Sequence, residues 1–281
     1  MGSTNDEAMA RLRNGASAVW VTAERQLKGR GRRGRTWVSE PGNLYASYGC
    51  NLSWPVERIG LIPLAAAVAL AGAIEGANVD ATADTTHDAS DETSDDAGDK
   101  TSDDIMGDGS DDARQGGDDD ASDDADHPIS AKLKWPNDVL VDGKKCAGIL
   151  IETERGATAA VQRVVTGFGV NIAHAPQDTP AIALQEKAPH LTAQDVFARL
   201  SSIYSSTLDA LAGEGGITAL RNRWLARAIG LGQEITVRYE SHTQKGRFLG
   251  LDPGGRLILG EDGGNTRLIA AGDVFMPTER L

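Results

Sequence analysis

Gly29-Arg30-Gly31-Arg32-Arg33-Gly34-Arg35 places four arginines on a backbone too rich in glycine to be a helix, and a second unusual stretch, Lys134-Trp135-Pro136-Asn137-Asp138, stands far downstream. Glycine leaves such a loop mobile and lets its N–H groups approach an anion, while each arginine fork offers two parallel donors to a carboxylate or phosphate. A loop of this composition suits closure over a charged small molecule. Arginine-glycine runs also occur in segments that bind nucleic acid with little sequence preference. Position separates the two readings: the run lies between two strand-like stretches, Ala18-Val19-Trp20-Val21 and Leu44-Tyr45-Ala46-Ser47-Tyr48, and is therefore a connection inside a folded domain, where sites usually lie.

The chain's 281 residues suffice for one large core and a small second module. Its net charge of −13 is unevenly spread: residues 81–127 hold 18 Asp and Glu against 2 Lys and Arg, and the remaining 23 acids and 26 bases leave the rest at +3. Ile105 and Met106 aside, that acidic block lacks aliphatics, and it is expected to be a disordered insertion. Weak calcium chelation by its Asp-Asp pairs is the alternative, without the glycine and terminal glutamate of a calcium loop. A net +3 elsewhere does not supply the extended basic surface of a nucleic-acid-binding module. No run of 18 or more apolar residues and no basic-then-apolar leader is present, so a cytoplasmic protein without a membrane partner is expected. Cys50 and Cys146 have no CxxC spacing and lie in apolar contexts suited to buried, reduced thiols; the histidines at 87, 127, 174, 190 and 242 are scattered, so no metal site is expected.

Thr4-Asn5-Asp6-Glu7 reads as a helix start, with Thr4 as cap and Glu7 reaching back. Ile62-Pro63-Leu64 opens an alanine-rich helix to about Ala77, with Pro63 in the first turn. A strand over Ile129 to Trp135 follows the acidic block, and Asp142-Gly143 between Asp138-Val139-Leu140-Val141 and Cys146 to Ile151 is a hairpin signal. A strand over Ala160 to Val165 leads into Gly167 to Ile172, and helices follow over Thr192 to Ala212 and Ile217 to Ala228. From Gly230 short strand signals take over (Glu234 to Tyr239, Gly246 to Leu251, Arg256 to Leu259, Thr266 to Ile269), the texture of a small antiparallel barrel. The expectation is an α/β (α+β) architecture: a mixed sheet packed by helices over residues 1–229 and a small β-barrel over 230–281.

Ser3-Thr4-Asn5, Gln26, the Gly29 to Gly34 loop, Trp37, Lys134 to Asp138, Ala147-Gly148-Ile149-Leu150 and Gly167-Phe168-Gly169-Val170-Asn171-Ile172 stand in the order and at about the spacings of biotin protein ligases. The chain strongly resembles that family over almost its whole length apart from 81–127. The resemblance implies a catalytic domain like those of class II aminoacyl-tRNA synthetases and biotin synthetases, and a Src-homology-3-like C-terminal barrel. It implies a two-step reaction: biotin's carboxylate attacks the α-phosphate of MgATP, giving biotinyl-5′-AMP and pyrophosphate, and a lysine of a biotin carboxyl carrier protein domain then displaces AMP. With no room for a DNA-binding domain ahead of Ser3, a monofunctional enzyme is expected, with homodimerisation open; the start just before Ser3 reads as a truncated or late start. A lipoate or octanoate ligase of the same superfamily is the rival enzyme.

The same resemblance assigns roles. Both transition states gather negative charge around the phosphoryl and acyl oxygens, where a fixed cation stabilises them more than the ground state. Lys134, beside Trp135-Pro136, is the expected cation, with Arg32 as its partner in catalysis. Ser3, Thr4, Asn5, Gln26, Gly29, Arg30, Gly31, Arg32, Lys134 and Gly148 are the expected biotin-binding residues: Gln26 pairs with the ureido group, and Gly148 admits the bicyclic ring. Arg33, Trp37, Asn137 and Asn171 are expected on the ATP and adenylate side, with Asn137 and Asp138 shaping the turn and ordering metal-bound phosphates. Arg35, Lys144 and Lys145 read as solvated charges.

Overall fold

The computed structural model describes residues 1–88, 129–156, 158 and 160–276. Helix α1 (Thr4–Arg13) precedes strands β1 (Ala18–Ala23) and β2 (Leu44–Leu52), a single turn α2 (Val56–Ile59) and the long helix α3 (Ile62–Asp88). Strands β3 (Lys132–Lys134), β4 (Asp138–Val141), β5 (Lys144–Arg155) and β6 (Gln162–Val170) follow, then helices α4 (Ala193–Ala212) and α5 (Gly216–Leu225). The last part is all strand: β7 (Glu234–Arg238), β8 (Thr243–Leu251), β9 (Leu257–Gly260), β10 (Thr266–Ile269) and β11 (Asp273–Phe275).

The first sheet runs β1-β2-β6-β5-β4-β3. Its strands pair antiparallel throughout, and the parallel element comes from two isolated bridges, Leu133 with Ala228 and Lys145 with Ala181. Asp142 (φ 50°) and Gly143 (φ 72°) both adopt left-handed conformations, which a two-residue turn of matching twist requires, so the Asp-Gly signal is realised as the β4–β5 hairpin. The strand expected over 160–165 runs on through the Gly167 stretch as one continuous strand, β6 (Gln162–Val170). The second sheet, β10-β9-β8-β7-β11, is a small antiparallel β domain, with β11 an element that its three residues had concealed.

Strand alternation divides the first sheet into two faces. Leu44, Ala46 and Cys50 of β2, Phe168 and Val170 of β6, and Ala147 and Ile149 of β5 bury against α3 and α4. Trp20, Tyr48, Phe168 and Tyr204 meet there edge-on or tilted, for example Phe168 and Tyr204 at 5.2 Å. The stretch Val56–Val79 is long and apolar enough to cross a membrane, but 72% of its apolar 18-residue segment is buried inside the fold. Its helix α3 is apolar on all sides because the sheet, α4 and α5 enclose it.

Three expectations need correction. Helix α3 continues to Asp88, so residues 81–88, counted above within a disordered insertion, are helical, while 89–127 lie outside the described residues. Alanines at 81 and 83 let an established helix propagate at little cost. The cap of α1 is Ser3, whose side chain faces the Asp6 N–H at 3.5 Å, and Glu7 pairs with Arg11 rather than reaching back. Thr4 cannot cap because its hydroxyl is engaged inside the sheet, as described below.

Cys50 and Cys146 are free and buried, and burial pushes both thiols up to about 12. Neither is a thiolate at neutral pH. In native protein at pH 8, iodoacetamide is therefore expected to label both far more slowly than in denaturant; equal rates would show that the core is open.

Candidate functional site

The opposite face of the sheet carries the site. Register aligns Tyr45, Gly169, Gly148 and Asp138 in one lateral row, Ser47, Gly167 and Leu150 in the next, and Gly49, Val165 and Glu152 in a third. Glycine is required at several of these positions by close approach. A Cβ on Gly167 would stand 2.3 Å from Asn5 Oδ1, and one on Gly169 or Gly148 would stand 2.6 or 2.9 Å from the Trp37 ring. Trp37 therefore lies directly on the backbone of β5 and β6, with its indole N–H buried and unpartnered among the described residues.

The N-terminus of α1 closes one end of this floor. Thr4 N–H donates to Gln26 Oε1 at 2.8 Å, with the Thr4 hydroxyl 3.1 Å from the same oxygen. The buried Ser47 hydroxyl lies 2.7 Å from Thr4 Oγ1 and 2.6 Å from Asn5 Oδ1, while Asn5 Nδ2 donates to Glu152 at 2.7 Å. Met1 and Gly2 carbonyls accept from the Leu27 and Lys28 N–H groups at 3.0 and 2.8 Å, which ties the chain start to the lead-in of the arginine loop.

Within that loop Gly31 N–H donates to the Arg35 carbonyl at 2.7 Å, and Trp37 N–H to the Gly29 carbonyl at 3.0 Å. Gly29 has no room for a side chain, since a Cβ would stand 2.5 Å from the Trp37 carbonyl. Every arginine of the loop meets a carboxylate. Arg30 forms a fork with Asp6 at 2.7 and 3.0 Å and reaches Glu152 at 3.1 Å; the hydrogen bond with Asp6 raises the guanidinium pKa further and lowers that of the carboxyl. Asp273, at the start of β11, receives Arg35 at 2.8 Å, Arg33 at 3.3 Å and Arg32 at 3.8 Å. Burial lowers the pKa of Arg32, against the pull of Asp273 and Asp138. Arg35 is thus an ion-pair partner rather than a purely solvated charge.

The two motifs far apart in sequence touch. Arg32 Nη1 donates to Asn137 Oδ1 at 3.0 Å across 105 positions, and Asn137 Nδ2 donates to the Ile149 carbonyl at 2.5 Å. Pro136 follows a cis peptide bond. Trp135 is buried, and its indole N–H reaches the Gly255 carbonyl at 3.1 Å, so it fastens the first sheet to the β8–β9 turn. Lys134 leans the same way, with its ammonium 5.5 Å from the Phe275 ring centre. Lys145, in contrast, enters the cluster: its ammonium pairs with Asp138 at 2.7 Å and lies 5.6 Å from the Trp37 ring centre. The buried Asn171 supports that placement, with its side-chain amide 3.5 Å from the Lys145 carbonyl and its N–H bonded to the Cys146 carbonyl at 2.8 Å.

Residues 3–171 match the Biotin/lipoate A/B protein ligase family. The chain belongs to that family. Residues 230–276 match the Biotin protein ligase C terminal domain, which points to the biotin branch rather than the lipoate branch. The chain is 30% identical to a biotin–[acetyl-CoA-carboxylase] ligase of Paracoccus denitrificans, over 97% of this chain and 96% of that protein. To the corresponding ligase of Mycobacterium tuberculosis it is 29% identical, over 97% and 85%. A biotin protein ligase from Aquifex aeolicus, solved with biotin and ATP, superposes with a TM-score of 0.66 at 22% identity, over 98% of this chain and 94% of that one, and shares the fold.

In this family member the structure gathers Thr4, Asn5, Gln26, Gly29, Arg30, Arg32, Trp37, Asn137 and Gly148 about one sheet face. Ser3 contributes as the cap behind Thr4, and Asn171 acts through the Lys145 backbone. Sequence reasoning missed Ser47, Glu152, Asp273 and Lys145. The signal for Ser47 and Glu152 was their strand parity with Gly49 and Gly148, and for Lys145 its two-residue offset from the hairpin turn.

Proposed function

We propose that this face activates biotin with ATP and passes it to a lysine of a biotin carboxyl carrier protein domain. The observation that carries the reading is the Arg32–Asn137 contact, which brings the arginine loop against the Lys134–Asp138 segment beside Trp37 on its glycine floor. The α1 corner offers hydroxyl and amide groups of the kind a cyclic urea pairs with, and the glycines admit a flat bicyclic ring. Arginine forks meet the carboxylate and phosphate oxygens once these displace the acidic side chains that hold them. Closure keeps water from a mixed anhydride that would otherwise hydrolyse.

In the first step a biotin carboxylate oxygen bonds to the α-phosphorus and the bond to the bridging oxygen of pyrophosphate breaks. In the second the acceptor amine adds to the acyl carbon, AMP leaves with the electron pair, and the amine loses a proton. Of the two lysines, Lys145 is the better-placed cation for the oxygens, since it already lies over Trp37, while Lys134 borders the β domain. Mg²⁺ enters with the nucleotide: among the described residues no three acidic, His or Cys side chains gather, a donor set that suits an ion carried on phosphate oxygens, with Asn137 and Asp138 ordering them. The proposal includes a boundary near residue 230 between catalytic and C-terminal domains, a cytoplasmic setting, no nucleic-acid partner and an optional homodimer.

Incubation with ATP, Mg²⁺, biotin and a carrier domain is expected to yield streptavidin-detectable carrier, and lipoate in place of biotin none. Transfer of lipoate with no transfer of biotin would overturn the reading.

A further inference from the structure

Glu152, from β5, touches both the α1 corner and the arginine loop, where Asp6 of the first α1 turn also meets Arg30. Its Oε2 accepts from Asn5 Nδ2 at 2.7 Å, and its two oxygens lie 3.1 and 3.3 Å from Arg30 Nη2. A carboxylate can only accept, so it holds the Asn5 amide with NH₂ outward and Oδ1 turned to Ser47. The reversed amide would set oxygen against oxygen at that short distance.

This orientation propagates. Ser47, fully buried, has one hydroxyl hydrogen and two close oxygens, Asn5 Oδ1 at 2.6 Å and Thr4 Oγ1 at 2.7 Å. With Asn5 presenting an oxygen, the Ser47 hydrogen is shared between two acceptors, Asn5 Oδ1 and Thr4 Oγ1. Thr4 spends its own hydroxyl hydrogen on Gln26 Oε1 at 3.1 Å, an oxygen that also accepts from the Thr4 backbone N–H at 2.8 Å. The remaining lone pair of Thr4 Oγ1 is an acceptor. A neutral group in place of Glu152 would free the amide to turn, so that Asn5 donates to Ser47 instead of accepting from it and the Ser47 hydrogen goes wholly to Thr4 Oγ1, because linked hydroxyls and amides orient one another.

We propose that Glu152 is a positioning residue for biotin recognition: through Asn5 and Ser47 it sets which groups of the α1 corner donate and which accept, so that Thr4 accepts from a ureido N–H. The inference rests on the assignment of this corner to biotin. It is tested by a double-mutant cycle with Glu152→Gln and Asn5→Ala, read by biotin-dependent ATP–pyrophosphate exchange, with thermal melting to check folding.

Glu152→Gln is expected to raise KM for biotin about tenfold or more, with kcat within about threefold, as for loss of a hydrogen bond to a charged group. Asn5→Ala raises KM as well, and adding Glu152→Gln to it changes KM by less than about twofold, because the route through Asn5 is already gone. Additive effects would overturn the proposal and place the action of Glu152 on Arg30. No effect of Glu152→Gln beside a clear effect of Asn5→Ala would overturn it and leave the pocket assignment standing; no effect of Asn5→Ala would overturn the pocket assignment itself. Should Glu152→Gln not fold, Glu152→Asp enters the same cycle: it keeps the charge but shortens the reach, and non-additivity with Asn5→Ala is again the supporting result.

Discussion

Lys145→Met lowers biotin-dependent ATP–pyrophosphate exchange by on the order of 10²- to 10³-fold, the loss expected when one fixed donor to a developing oxyanion is removed, whereas Lys134→Ala lowers it by less than about tenfold. Methionine keeps the length and packing of the stem, so the variant isolates the charge. The ammonium of Lys145 lies over the ring of Trp37 and is held by Asp138 at 2.7 Å, which leaves it little freedom to wander. Lys134 is at the end of β3 and faces Phe275 of the β domain, a position suited to domain contact. The loss at Lys145 should fall mainly on kcat, since the charge it meets grows between ground and transition state. The reverse ranking, with Lys134→Ala the more damaged, would restore Lys134 as the cation and reduce Lys145 to a partner of Asp138.

The choice between the two lysines turns on what a sequence carries and what it does not. Lys134 stood inside a motif and Lys145 beside a hairpin turn, so proximity in sequence favoured the first. Lys145 adjoins a register shift in the β4–β5 pairing between Val139 and Leu140, and a bulge re-aims a side chain in a way no alternation pattern announces. Gly148 was given a role only through the family resemblance, and Gly167 and Gly169 stood only within its motif, although a glycine in an apolar strand marks a close approach. What approaches them, Trp37 and Asn5, came from elsewhere in the chain and was legible only through the family resemblance. Helices α4 and α5 and the Asp142-Gly143 hairpin followed from local chemistry, and Thr192 caps α4 in a box with Asp195, whose carboxylate receives the Thr192 N–H at 2.9 Å. Asp273 had no local signal: a carboxylate on a three-residue strand acquires its role only when three arginines from the other end of the chain arrive beside it.

That gathering underlies the second expected result: Arg32→Gly releases biotinyl-AMP faster than wild type by on the order of tenfold or more while slowing its synthesis less. Arg32 is the loop arginine that spans both walls of the site, donating to Asn137 Oδ1 at 3.0 Å and to the Gly272 carbonyl at 3.2 Å. Glycine removes the fork and, in a loop where Gly31 and Gly34 already flank it, adds backbone freedom that must be lost again on closure. A residue that holds the intermediate contributes to its retention throughout its lifetime, but contributes to synthesis only in so far as it is stronger in the transition state. Arg33 and Arg35 remain on Asp273 and keep the loop near the β domain, so the fold and the first step survive. The mixed anhydride that escapes reacts with any exposed amine, and lysines of bystander proteins become labelled. In a mixture of carrier domain and serum albumin, the variant should biotinylate both, wild type the carrier alone. Carrier selectivity equal to wild type, with synthesis reduced in parallel with transfer, would assign Arg32 to forming the adenylate rather than to keeping it.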